Sequence, residues 1–162
     1  MKLLYLDCFA GVSGDMFLGA LLDLGVSEDT LRTELEKLHL PGYRISSRRV
    51  TKQNISATKF DVIEELPALH RSAATTHHHE HRGYTEITGM ITGSGLSKDV
   101  KRRALSIFKR IGEAEAKIHE IPLEKIHFHE IGAVDSIVDI VGVCIAVELL
   151  GVDEIQDRKS VV

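Results

Sequence analysis

The sequence predicts a mixed α+β fold, with a short N-terminal strand, a β-hairpin and about five helices packed around a central apolar helix. Three observations support this fold class: short apolar or alternating segments in the first third, longer segments with apolar residues at helical spacing, and one nearly uniform apolar segment near the end. The chain has 162 residues, of which 43% are hydrophobic, so one core can form.

The predicted elements follow one another in a simple order. They are a strand over 3–8, helices over 15–24 and 27–38, hairpin strands over 43–50 and 55–64, helices over 84–91 and 97–119, an extended segment over 125–130, a helix over 133–150 and a strand beginning at 152. Gly25 ends the first helix, and Ser27 and Ser97 are the expected N-caps. Pro41 and Pro122 mark breaks between elements.

The segment 133–150 is predicted to be the central buried helix, because it is apolar on nearly every side. Its many Val and Ile residues leave a strand as the alternative. Its carboxylates interrupt the apolar run, so the segment is not predicted to span a membrane.

Composition excludes several classes of protein. The net charge is -4, without the basic excess of a nucleic-acid-binding protein. Cys8 and Cys144 lie far apart in apolar segments, which indicates two buried thiols in a reducing compartment. The N-terminus lacks the features of a signal peptide, and we therefore expect a cytoplasmic protein.

The first candidate site is the Gly-rich segment 7–15, where a strand ends and a helix begins. Free backbone N–H groups near Gly11, Ser13 and Gly14 could bind a phosphate, and Asp7 and Asp15 could share a divalent cation. No Lys follows the glycines, so this is not a P-loop. The alternative is a plain tight turn, with Asp15 favouring the helix dipole.

The second candidate site combines His127, His129 and Glu130 with Asp135 and Asp139. Alternate residues of an extended segment point the same way, and residues four apart share one helix face. Two imidazoles and up to three carboxylates could therefore converge on a divalent transition metal. The alternative is that the His side chains bond to the backbone and Asp135 is an ordinary first-turn carboxylate.

The third candidate site is a His-rich segment within a predicted mobile loop over 67–83. Adjacent imidazoles can capture a metal ion without fixing the coordination geometry of that ion. The metal ion should be lost at acid pH, because a protonated imidazole cannot act as a ligand. The candidate metal ligands here are His77, His78, His79 and His81.

Segments 7–16 and 127–139, with the His-rich loop between them, resemble two motifs of the nickel-insertion proteins (LarC) of the nickel-pincer nucleotide pathway. The resemblance extends to about residue 155. It implies insertion of nickel into a pyridinium-3,5-bisthiocarboxylic acid mononucleotide, giving the cofactor of lactate racemase. It also implies a lyase-class nickel chelatase that depends on CTP and uses Mn²⁺ or Mg²⁺.

The resemblance also implies a division of the protein. Residues 1–155 correspond to the N-terminal nickel-binding domain, residues 156–162 look like an unstructured tail, and the CTP-binding C-terminal half is absent. The first of two frame-shifted pieces, or a truncated chain, would have this appearance. The expected partners are the mononucleotide substrate and the C-terminal half. The chain is not expected to bind nucleic acid or membranes. A homo-oligomer is a possible state.

The residue patterns and the resemblance together lead to predicted roles for single residues. The predicted catalytic residues are Asp7, Asp15, His127, His129 and Glu130, and we expect Asp135 and Asp139 to complete the principal metal site. Three alternatives remain. They are a nickel storage or delivery protein, a metal-dependent phosphohydrolase built on Asp7, Asp15 and the His-x-His-Glu segment 127–130, and an inert fragment that folds only with its partner.

Overall fold

A computed structural model describes residues 1–65, 82–128 and 132–158 of the chain. Within these ranges it contains five α-helices, one 3₁₀-helix and four strands in two small sheets, which confirms the predicted α+β class. The elements are β1 (Leu3–Leu6), α1 (Gly14–Asp23), α2 (Glu28–Glu36), β2 (Tyr43–Lys52), β3 (Ile55–Glu64), α3 (Tyr84–Gly93), α4 (Lys98–His119), the 3₁₀-helix (Leu123–Lys125), α5 (Val134–Leu149) and β4 (Glu154–Asp157).

The helix boundaries follow the local chemistry of the sequence. The Ser27 hydroxyl accepts a hydrogen bond from the Thr30 N–H at 3.4 Å, and the Ser97 hydroxyl accepts one from the Val100 N–H at 3.1 Å. Both residues therefore cap the helices as predicted, since a helix start leaves its first N–H groups without intrahelical acceptors. Gly25, at a φ of 107°, follows α1 in a conformation that glycine adopts without strain.

The predicted hairpin is present, with β2 and β3 antiparallel and paired from Tyr43–Glu64 to Lys52–Ile55. Gln53 and Asn54 form the two-residue turn, and both have positive φ, as the twist of a tight hairpin requires. Helix α1 packs on β3, where Gly19 lies against the Thr58 carbonyl. A side chain at this glycine would collide with the backbone of the strand.

Strands β1 and β4 form a parallel pair, in the register Leu3–Glu154 to Leu6–Asp157. The predicted last strand is therefore present, but it begins slightly later than predicted. The prediction that residues 156 and 157 belong to an unstructured tail is wrong, because they pair with β1, and the Arg158 N–H donates to the Leu6 carbonyl at 2.9 Å. Residues 159–162 lie outside the described part.

Segment 134–149 is a helix, so the strand alternative for it is wrong. Half of the sixteen residues of α5 are buried, and the helix packs against α1, α2, α4 and β3. A helix that is apolar on several sides is stable when other elements cover it on those sides. Within the described ranges, no helix has the length and apolarity needed to span a membrane.

The segment before α5 differs in part from the extended stretch predicted over 125–130. Leu123–Lys125 forms a 3₁₀-helix, and His127 then pairs with Gly83 through an isolated antiparallel bridge. Arg82 and Gly83, which were predicted to lie in a mobile loop, belong to the described fold, and Arg82 is buried. The rest of that predicted loop, up to residue 81, lies outside the described residues.

Candidate functional site: carboxylates where α1 and α5 meet

The N-terminal end of α1 meets the first turns of α5, and three carboxylates gather there. Asp15 lies in the first turn of α1, and Asp135 and Asp139 lie one turn apart on α5. Gly14 makes the contact possible, because a Cβ atom at this position would be 2.7 Å from Asp139 Oδ2. The structure thus places candidate residues from two segments more than a hundred residues apart in one location.

Asp139 is the residue most perturbed by this arrangement. The pKa of its carboxyl group is raised to about 7, mainly by desolvation and in addition by the negative charges of Asp15 and Asp135. A hydrogen bond from the Asp15 backbone partly opposes the rise. Burial among like charges is unfavourable for a carboxylate unless a proton or a cation neutralises it.

The Oδ1 atom of Asp139 is buried and has no hydrogen-bond partner among the described residues. Native structures rarely leave such an oxygen without a partner, so an orphaned carboxylate oxygen calls for an explanation. An oxygen donor in this state suits a hard divalent cation such as Mg²⁺ or Mn²⁺. A proton on the carboxyl group is the simpler alternative near neutral pH.

The loop that precedes α1 has the turn geometry expected from its glycines. Gly11 has a φ of 83°, and its N–H donates to the Cys8 carbonyl at 3.0 Å. Ser13 is the N-cap by backbone conformation, but its hydroxyl bonds to the Asp15 carboxylate and not to a backbone N–H. The start of α1 therefore keeps N–H groups that its own N-cap side chain does not satisfy.

Asp7 and Asp15 have different partners in the structure. Asp7 forms an ion pair with Arg158, with 3.5 Å between Oδ2 and Nη1, whereas Asp15 lies beside Ser13 and Asp139. In the described ranges, no three His, Cys, Asp or Glu side chains are close enough together to hold a metal ion. In that part of the chain, neither a site shared by Asp7 and Asp15 nor the cluster of Asp15, Asp135 and Asp139 is therefore a complete ligand set by itself.

His127 is exposed and lies on a segment that is fixed from both sides. Its bridge to Gly83 is reinforced by the Tyr84 N–H, which donates to the Ile126 carbonyl at 3.0 Å. The next residue, Phe128, is fully buried and packs its ring 6.3 Å from that of Phe108. Because residues 126 and 128 are anchored in the core, the His127 side chain projects outward.

Two residues near this segment were not predicted as important. Gly132 lies so close to the Arg82 backbone that a Cβ atom would be 2.7 Å from the Arg82 carbonyl oxygen. Arg82 is buried and forms an ion pair with Glu86 at 3.4 Å. A glycine directly before the predicted start of a helix was the available signal, but a sequence does not show which backbone approaches it.

The remaining predicted ligands lie outside the described residues. Their roles therefore stay predictions. They are His77, His78, His79, His81, His129 and Glu130.

Comparison with known proteins complements this partial site. A family described as nickel insertion proteins matches residues 4–160 of the chain. The chain belongs to this family. Both candidate segments of the sequence, 7–15 and 127–139, fall inside the matched region, so the family identification covers the carboxylates at the α1–α5 junction as well as the exposed His127.

Several relatives within the nickel insertion family carry a specific name, pyridinium-3,5-bisthiocarboxylic acid mononucleotide nickel insertion protein. The relative from Geobacillus kaustophilus (strain HTA426) is 54% identical over 157 residues, which cover 96% of this chain and 38% of the relative. The relative from Lactiplantibacillus plantarum is 48% identical over 165 residues, covering 96% and 39%, respectively. The one from Acetivibrio thermocellus is 46% identical and is covered to 38% of its length.

The chain therefore spans less than two fifths of the length of these nickel insertion proteins, and the match lies in their N-terminal part. No solved structure matches the chain.

Proposed function

We propose that this chain is the nickel-handling N-terminal part of a protein that inserts nickel into pyridinium-3,5-bisthiocarboxylic acid mononucleotide. The relatives that it matches over 96% of its residues carry this activity in their names. The chain spans only part of their length, so the complete reaction is assigned to the longer protein. Nickel enters this scheme as a substrate and not as a resident cofactor.

Membership of the nickel insertion family supports the choice of nickel, and the structural observation that carries the cation-binding part of the proposal is the carboxylate cluster at the α1–α5 junction. Asp139 has a buried oxygen without a hydrogen-bond partner among the described residues and lies near Asp15 and Asp135. Such a group is costly in a structure with no function for it, because both desolvation and like charges oppose its ionisation. A cation held there would remove both penalties.

The imidazoles supply the second part of the proposal. His127 projects from an anchored segment, and we assign His129 and Glu130 to the same site, with His77, His78, His79 and His81 as a nickel-recruiting segment. Imidazole nitrogen binds Ni²⁺ well, while thiocarboxylate sulfur is a softer ligand that competes for the same ion. Nickel would thus pass from nitrogen donors to the sulfur donors of the substrate.

The described residues fit a hard cation only in part. They supply carboxylate oxygens at the α1–α5 junction but no complete trio of ligands. We therefore propose Mn²⁺ or Mg²⁺ as a second ion of the reaction without assigning it a step. CTP is proposed to bind the part of the protein beyond this chain. The lyase class and a cytoplasmic location are likewise proposals.

Within the mononucleotide site, the start of α1 is the proposed contact for the substrate phosphate. The backbone around Gly11, Ser13 and Gly14 presents the positive end of the helix dipole, and the Ser13 hydroxyl does not cap the helix. A phosphate there would lie near Asp15, so a cation between the two anions would be favourable. Asp7, which pairs with Arg158, is proposed to position this loop.

The proposed function is tested by nickel insertion in a defined mixture. The chain is incubated with the bisthiocarboxylate mononucleotide, Ni²⁺, Mn²⁺ and CTP, with and without the remaining part of the Geobacillus kaustophilus relative. We expect nickel insertion only when both parts are present, detected by mass spectrometry of the nickel-containing product. Full activity of the chain alone would contradict the division of labour. Nickel binding without turnover in any combination would favour a delivery protein.

The metal ligands are tested separately by calorimetry. Replacing His127 and His129 with Ala should lower Ni²⁺ affinity at least tenfold, because two imidazole ligands are lost. The control replaces two imidazoles elsewhere, as His39→Asn with His119→Ala, and should leave the affinity within twofold. Deleting residues 77–81 should slow nickel uptake without removing the tight site. Equal affinities in the test and control variants would rule out the assignment of His127 and His129.

A further inference from the structure

The β1–β4 sheet is incomplete as a parallel sheet. In the described ranges it has two strands, with no third strand on either edge. Leu4 points toward the core, whereas Leu3 and Tyr5 point to the other face and are 45% and 56% exposed. Parallel sheets are normally covered on both faces, because their strands are apolar on both sides. Among the described residues, nothing covers the face that carries Leu3 and Tyr5 or pairs with either edge of the sheet.

A cavity of about 530 Å³ opens beside β4, on the face of the sheet to which Leu4 points. Its walls come from α1, α4, α5 and β4. Ile155 pairs with Leu4 and lies on the same face, yet it remains 46% exposed, because no described element covers that end of the strand. The apolar lining includes Phe17, Ile107, Val143, Val147, Val152 and Ile155.

The polar rim of this cavity carries positive charge. Arg102 and Arg103 line it together with Asp153, and the Asp153 carboxylate already accepts a hydrogen bond from the Lys2 backbone N–H at 2.6 Å. A carboxylate matches a guanidinium group in charge and geometry. The surface therefore suits a polypeptide segment with apolar side chains and an acidic group at the rim.

We infer that the β1–β4 sheet and this cavity form the docking surface for the part of the protein that longer relatives carry beyond the matched region. That part makes up about three fifths of their length, because the chain covers 38% of the Geobacillus kaustophilus relative. The docked part pairs with a sheet edge and places apolar side chains in the cavity. The inference uses the division of the protein proposed above, but not its metal site.

The inference is tested by hydrogen exchange in a chimera, in which this chain replaces the matched N-terminal region of the Geobacillus kaustophilus relative. Amide exchange in β1 and β4 is compared between the chimera and the chain alone by mass spectrometry. We expect at least tenfold slower exchange of these strands in the chimera, because docking covers their edges and faces. The β2–β3 turn at Gln53 and Asn54 serves as an internal reference and should not change.

A pair of variants on one helix tests the surface itself. Ile107 lines the cavity and is 37% exposed, while Ile118 lies further along α4 and is 77% exposed. Ile107→Asp should abolish the added protection of β4, and Ile118→Asp should retain it, with circular dichroism confirming that both chimeras are folded. Unchanged exchange of β1 and β4 in the unmodified chimera would overturn the inference, as would equal effects of the two variants.

Two further outcomes separate this inference from its alternatives. If sedimentation shows that the chain alone dimerises and that Ile107→Asp dissociates the dimer, a second copy occupies the surface and the inference is wrong. If the chimera shows the expected protection but does not insert nickel, the proposed function fails while the docking surface stands.

Discussion

The Asp139 side chain lies directly against the Cα atom of Gly14, leaving no room for a side chain at that position. A Cβ atom at Gly14 would be 2.6 Å from Asp139 Cβ and 2.7 Å from its Oδ2. Both distances are far shorter than ordinary van der Waals contacts. This contact joins the first residue of α1 to the half-buried carboxylate of α5. A change in either candidate segment should therefore disturb the other.

Gly14→Ala should destabilise the protein by about 1–3 kcal/mol, since the new methyl group must displace the Asp139 side chain or separate the two helices. Urea unfolding with a chelator present would measure this. Gly89→Ala is the matched control, because Gly89 lies inside α3 and a methyl group added there would have nothing within 4 Å. It should stabilise the protein by about 0.5–1 kcal/mol through helix propensity. Similar effects of both variants would argue against a tight α1–α5 contact.

Asp139→Asn should change how stability depends on pH. The carboxyl pKa of Asp139 is raised to about 7 in the folded protein from an ordinary value near 3.8, so the folded state holds a proton that the unfolded state has lost between these values. Stability therefore falls as pH rises from about 4 to 7 and levels off above 7. The Asn variant lacks this loss and should gain about 1–2 kcal/mol relative to the parent between pH 4 and pH 8, after allowance for solvent screening.

The control for this pH dependence is Asp135→Asn. The charge of Asp135 raises the pKa of Asp139, so its removal should weaken the pH dependence without abolishing it. Urea unfolding at several pH values, with EDTA present to remove metal ions, gives the free energy of unfolding against pH for the parent chain, Asp139→Asn and Asp135→Asn. Parallel curves for the parent and the Asp139→Asn variant would show that Asp139 titrates normally.

Most of the fold could be predicted from the sequence because its signals are local. Ser27 and Ser97 mark helix starts through hydrogen bonds within three residues, and the Gln53–Asn54 turn fixes the hairpin register. The boundaries of the strand at 154–157 were harder to predict, because its pairing with β1 joins residues about 150 positions apart. Short polar strands carry little signal of their own, and only the partner strand stabilises them.

The candidate site was predictable in its residue types but not in its contacts. Two carboxylates four residues apart on an apolar helix indicated a shared face, and the effect of Asp135 on Asp139 agrees with this. That Asp15 would join them, while Asp7 pairs with Arg158, depends on how α1 and α5 pack. Helix packing follows from side-chain shapes along both helices, which a motif of ten residues does not encode.

Ser97→Ala should destabilise the protein by about 1 kcal/mol, because Ser97 both caps α4 and reaches across to α5. Its hydroxyl accepts from the Val100 N–H at 3.1 Å and donates to Glu148 Oε2 at 2.7 Å. Loss of a serine cap typically costs this amount. Ser106→Ala is the control on the same helix, at an exposed interior position, and should be neutral or slightly stabilising. Thermal unfolding of both variants would check the difference, and equal melting temperatures would contradict the capping role.

Gly132→Ala should loosen the segment that carries His127. A Cβ atom at Gly132 would be 2.7 Å from the Arg82 carbonyl oxygen and 3.0 Å from that of Phe128, and backbone atoms cannot move aside as flexible side chains do. We expect a destabilisation of about 1–3 kcal/mol. The Tyr84 amide, which donates to the Ile126 carbonyl at 3.0 Å, should exchange with solvent at least tenfold faster.

Gly93→Ala provides the matched control, because nothing lies within 4 Å of a methyl group at that position. Its Tyr84 exchange should match that of the parent chain. The nickel affinity of the two variants shows whether the segment only stabilises the fold or also positions a metal ligand. If His127 is a ligand on an anchored segment, Gly132→Ala should weaken nickel binding, whereas Gly93→Ala should not. Faster Tyr84 exchange with unchanged nickel affinity would mean that the anchored segment stabilises the fold without holding the metal.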